Sequence, residues 1–136
     1  VEDVRKVVIP PAATEVAAEA TNARARKLMD EARGRLAQRT EESLDAAVAA
    51  FQQAIMRDPA SAPAHAALAE ALILQGGTWE TYGRAPLADA VARARPFAAK
   101  ALALDEGLAE ARAVMGLVEL VSGNASAAID SLGKAI

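Results

Sequence analysis

The sequence predicts an all-α fold of about three stacked helical hairpins, six helices in all. Three observations carry this expectation. Alanine fills about a quarter of the 136 positions, and alanine is the best helix former and is depleted in strands. Aromatic residues make up only 3% of the chain, so any core must be built from small side chains on helices in close approach. Finally, apolar segments recur. Ala54, Ala101 and Ala135 hold like places in AVAAFQQAIMRDP (47–59), ARPFAAKALALDE (94–106) and AAIDSLGKAI (127–136). The interval 135 − 101 = 34 sets the repeat, and 101 − 54 = 47 leaves 47 − 34 = 13 extra residues in the middle copy. The segments 62–77 and 109–124 share the offset 109 − 62 = 47, so the extra residues lie between Gly76 and Ala94.

Each element follows from local chemistry. Residues 1–13 contain the double proline Pro10-Pro11 and read as an extended N-terminal segment. A single helical repeat domain is expected over 14–136. Thr14 caps a helix running to about Gln38, with Leu28, Ala32 and Leu36 on its packing face. A second helix spans 42–57, where Leu44, Ala47, Val48, Phe51, Ala54 and Ile55 recur at helical spacing; Asp58-Pro59 stops it. Ser61 caps the third helix, Pro63 sits in its first turn, and Gly76-Gly77 ends it. A long connection over 76–86 follows. The fourth helix closes at Leu102 and Leu104, and Pro96 should kink or split it near Arg95. Residues 108–121 form the fifth helix, stopped by Gly123-Asn124, and 126–136 form the sixth. The repeats are thus expected at about 22–59, 60–106 and 107–136, the last truncated.

Several function classes are disfavoured. Charged residues (24%) are spread along the chain, leaving no window of about 20 apolar residues for a membrane span. A net charge of −3 and the absence of basic–aromatic clusters argue against nucleic acid. Without cysteine there is no thiolate nucleophile and no cysteine-based zinc site. His65 is the single histidine, so it is expected to pack in the core rather than serve as a base or ligand. Gly76-Gly77-Thr78-Trp79 lacks phosphate-loop spacing and follows a helix rather than a strand. No catalytic residue, metal site or cofactor is expected, and no enzyme activity.

The repeat resembles the tetratricopeptide repeat (TPR) across about residues 22–136. In the third unit Met115-Gly116 stands at the family's Leu-Gly position, Ala128 and Ala135 at its two alanines, and Leu132 at its large apolar site. In the first, Ala47, Phe51, Ala54 and Pro59 match; in the second, Leu68-Ala69, Leu72, Ala94, Ala98 and Ala101 match, with Glu106 in place of the usual proline. The stretch from Leu36 to Thr40, through Phe51, Asp58-Pro59, Tyr82-Gly83 and 101–105 to Ala111, is also similar to TPR regions of bacterial signalling and regulatory proteins. The resemblance implies an α–α superhelix, a right-handed solenoid, and a non-catalytic protein-interaction module. Its partner, a peptide or a helix, would lie in the concave groove lined by the first helix of each hairpin.

Those groove positions are Pro63, Ala66, Glu70, Ile73 and Leu74 in the second unit, and Glu110, Ala113, Leu117, Leu120 and Val121 in the third. In the first unit they are Leu28, Glu31, Arg35, Gln38 and Arg39. They lack the lysine, asparagine and arginine set with which some family members clamp a terminal carboxylate. Trp79 and Tyr82, half of the aromatics, fall in the 76–86 connection as a possible contact lobe. The alternative is a structural spacer or self-association segment of a larger bacterial regulatory protein, with homo-oligomer formation through an open apolar C-terminal end. The compartment, bacterial cytoplasm or periplasm, is left open by the sequence.

Overall fold

Six helices follow one another through the residues described by the computed structural model, 10–76, 86–123 and 125–135, with side chains over 23–76, 86–123 and 129–135. They are α1 (Pro10–Gln38), α2 (Glu41–Arg57), α3 (Ala62–Leu74), α4 (Leu87–Leu104), α5 (Ala109–Val121) and α6 (Ala125–Ala135). The pairs α1/α2, α3/α4 and α5/α6 pack most extensively. Successive hairpins meet through α2/α3 and α4/α5, and α3 also touches α1 and α5. The first helices of the three hairpins therefore run side by side, α3 between α1 and α5, as an all-α hairpin repeat requires.

The start of α1 corrects one expectation. Residues 10–13 are helical and not extended; residues 1–9 lie outside the described residues. The first helical positions have no intrahelical partner for their N–H groups, so Pro10 and Pro11 cost the helix no hydrogen bond and supply helical φ. Ala25, Met29, Ala32 and Leu36, at i, i+4, i+7 and i+11, form the buried stripe of α1.

Helix α2 opens on a reciprocal cap. The Ser43 backbone N–H donates to Thr40 Oγ1 (3.1 Å) and the Thr40 N–H donates to Ser43 Oγ (2.9 Å), which satisfies two groups left over at the helix start. A cap of this kind contributes about 1 kcal/mol. At the other end Asp58 breaks the helix before Pro59, and its N–H donates back to Ala54 O. Phe51, Leu44 and Ala47 are fully enclosed.

Helix α3 is buried almost all round, because the hairpins on both sides enclose it. Only Pro63 and Glu70 interrupt the buried run from Ala62 to Ile73, and Leu74 after it is half-buried. Ser61 caps it, accepting from the Ala64 N–H at 3.2 Å. His65 lies in this run, 5% exposed, its ring 6.5 Å from that of Phe97. Its Nδ1 is 2.8 Å from the Ser61 carbonyl oxygen. A carbonyl only accepts, so Nδ1 carries the proton and the ring is tied down as a packing element.

Pro96 does not split α4, which runs through from Leu87 to Leu104. The proline and Ala92, whose carbonyl it leaves without a helical partner, are both exposed, so the lost hydrogen bond falls on the open face of the helix. The opposite face, Ala90, Val91, Ala94, Ala98 and Ala101, stays buried without interruption. Arg95 ties α4 to the next hairpin: its Nη1 meets Glu119 Oε1 at 2.9 Å and its Nη2 donates to Ser122 Oγ at 2.8 Å. In the third hairpin α5 and α6 close on Gly116, where an added Cβ would sit 2.5 Å from Leu132 Cγ. The small residue in the Met115-Gly116 pair is what lets these two helices approach.

Candidate peptide groove

A depression of about 150 Å³ lies across the layer of first helices. Arg33 and Leu36 of α1, Pro63, Ala67 and Glu70 of α3, and Glu110 of α5 line it. Three hairpins thus contribute to one surface. Glu70 and Glu110 form no hydrogen bond or ion pair among the described residues, and neither does Arg33. Beyond it along α5 stand Leu117, 40% exposed, and the half-buried Val121.

The 47-residue offset between α3 and α5 sorts the expected groove residues by physical environment. Pro63 and Glu110 are equivalent, as are Glu70 and Leu117, and Leu74 and Val121. All six keep open or half-open side chains. Ala66 and Ile73 do not: they are 1% and 6% exposed. Ala66 packs with Ala101 of α4 and Ala111 of α5, and Ile73 belongs to the main core that Val114 and Val118 of α5 join. Helix α5 covers this side of α3, so Ala66 and Ile73 offer no surface to a ligand, contrary to expectation. Their equivalents Ala113 and Leu120, at the same phase on α5, are exposed, Leu120 at 54%.

The first unit departs from its expected phase. Its contributors to the depression are Arg33 and Leu36, not Glu31 or Arg35. Leu28 and Glu31 line a separate hollow with Arg24, Lys27 and Arg57 of α2. The stripe Ala25, Met29, Ala32 and Leu36 sets the rotation of α1 on its neighbours, and the 34-residue register alone does not transmit that rotation. Trp79 and Tyr82 lie outside the described residues.

The described surface offers little for chemistry. No three His, Asp or Glu side chains converge as metal ligands among the described residues. His65 is enclosed, and every buried polar side-chain atom described has a hydrogen-bond partner. No described helix is long and apolar enough to cross a membrane.

The molecule has a TPR-like helical-hairpin fold. It is similar to the second TPR domain of Spaghetti (RPAP3), solved bound to the HSP90 peptide SRMEEVD, with a TM-score of 0.66. That likeness covers 86% of this chain and 95% of the other at 18% sequence identity. No family model and no curated protein sequence matches the chain.

Proposed function

We propose that the chain is a non-catalytic module that binds a peptide or partner helix along the layer of first helices. The observation that carries this reading is the open stripe running from Arg33 through Glu70 and Glu110 to Leu117, contributed by three separate hairpins. A rigid repeat array holds such a stripe in place without ordering cost at the moment of binding. The peptide bound to the RPAP3 domain supports a ligand on this kind of fold. We place the module within a larger bacterial regulatory protein, on the sequence likeness to such repeat regions.

The test replaces Glu70 and Leu117 together by alanine. Both side chains are open, so helicity and melting should stay close to the parent's, within about 0.5 kcal/mol per site. Capture of the partner from lysate of the source cells, read by mass spectrometry, should fall sharply. Undiminished capture by the folded double variant would refute the groove.

A second reading, a spacer that self-associates, is favoured by Ala113 and Leu120. They are exposed at the phase where Ala66 and Ile73 are covered by the following helix. Ile129 on α6 is 73% exposed as well. Light scattering from about 1 to 300 µM covers the range of weak association. A mass rising to that of a dimer supports this reading, and a constant monomer mass rejects it.

A further inference from the structure

Resting on the groove reading above, we propose that the occupant is a segment bearing lysine or arginine beside apolar side chains, and that acidic segments are rejected. The charges facing the groove are few and can be named. Helix α3 carries no lysine or arginine, and its histidine is buried. Its open charged side chain is Glu70. Helix α5 has one basic residue, Arg112, and Glu106 occupies it: Nε donates to the Glu106 carbonyl at 3.0 Å and Nη2 meets Oε1 at 3.2 Å. Glu119 of α5 is likewise occupied by Arg95. What remains on α3 and α5 is Glu70 and Glu110, both on the depression and both without an ionic partner. Arg33 on α1 is the one cation on its lining.

Apolar surface adjoins these carboxylates. Leu117 lies about two turns beyond Glu110 on the same helix, with the half-open Leu74 and Val121 at equivalent places on α3 and α5. A segment that sets an aliphatic or aromatic side chain against Leu117 brings neighbouring cations to Glu70 and Glu110. A carboxylate-rich segment in that position meets like charge, and like-charge juxtaposition is a strong discriminator at interfaces. The preference is therefore opposite in sign to a groove that holds an acidic peptide.

Selection from a random 15-residue peptide display library on the intact chain tests this, followed by fluorescence anisotropy of the enriched peptides at low and moderate salt. We expect enriched peptides with net positive charge around one or two apolar residues. Each should lose about 5- to 30-fold in affinity against Glu70→Gln/Glu110→Gln, two charge pairs at about 0.5–1 kcal/mol each. That variant separates the groove from the general attraction of a chain of net charge −3 for cations. Enriched peptides that are acidic, or cationic ones indifferent to the double glutamine variant, overturn the charge preference. They leave the groove standing provided that Leu117→Asp still abolishes binding. Peptides indifferent to Leu117→Asp, or no enrichment at all, overturn the groove reading itself and this inference with it.

Discussion

Phe51→Ala should cost about 3–5 kcal/mol, a large share of the roughly 5–15 kcal/mol by which a domain of this kind is stable. Phe51 is 0% exposed and is the largest fully enclosed side chain described. It sits on α2 in the main core, which draws residues from α1 through α5. The cost belongs at the upper end of its range because of composition. Much of the surrounding core is alanine, including Ala32, Ala47, Ala54, Ala64, Ala71, Ala94 and Ala98. A methyl group has no rotamer with which to move into a cavity, so the void would stay open. Thermal unfolding followed by circular dichroism should show a fall in Tm of about 10–20 °C. Met56→Ala on the same helix is the control: Met56 is 80% exposed, and its loss should shift Tm by no more than about 2 °C. A Phe51 variant that melts within about 3 °C of the parent would show that the core is loose and repacks, contrary to the enclosed structure described above.

The helices were legible because each one buries a stripe, and a buried stripe is written directly into residue spacing. Of the periodic set on α2, Leu44, Ala47, Val48, Phe51 and Ala54 are buried in the fold and Ile55 is half-buried. Capping at Ser61 and the stop at Asp58-Pro59 were legible for a similar reason, since both act through covalent geometry and near neighbours. The groove was less so. Glu70, Glu110 and Leu117 follow from the repeat phase, whereas Ala66 and Ile73 share that phase and are covered by α5. Repeat phase gives the direction in which a side chain leaves its helix; whether a neighbouring helix stands there depends on long-range packing. Arg33 and Leu36 were missed for a related reason. They depend on the rotation of a 29-residue helix whose first half precedes the repeat register. Pro96 admitted two outcomes, a kink or a split. The helix is not split, because Pro96 and Ala92 lie on its exposed face and the buried alanine stripe runs through without a break.

Gly76→Ala should be the most damaging of the single-methyl additions, at about 1–3 kcal/mol, although the sequence marks Gly76 only as a helix stop. A Cβ built at Gly76 would overlap the Ala90 Cβ of α4 and stand 3.3 Å from two backbone atoms, Leu87 Cα and Ile73 O. None of these can step aside. Ala90 is 0% exposed and has no side-chain torsion that moves its methyl, and the other two atoms belong to the helix backbones themselves. Relief requires α3 and α4 to separate, and that hairpin carries much of the alanine core. Gly116→Ala provides the comparison within the same molecule. There the new methyl stands 3.3 Å from the Leu132 backbone nitrogen, but its severe overlaps are with Leu132 Cγ and Cδ2, in a side chain that is 37% exposed and can turn toward solvent. Urea unfolding of the two variants should therefore rank them, with the lower midpoint for Gly76→Ala and a slope unchanged from the parent in both. An equal midpoint for Gly76→Ala and parent would mean that α3 and α4 are not in the close contact that sets the geometry of the middle hairpin. With that contact would go the placement of Glu70 and Leu74 on the groove.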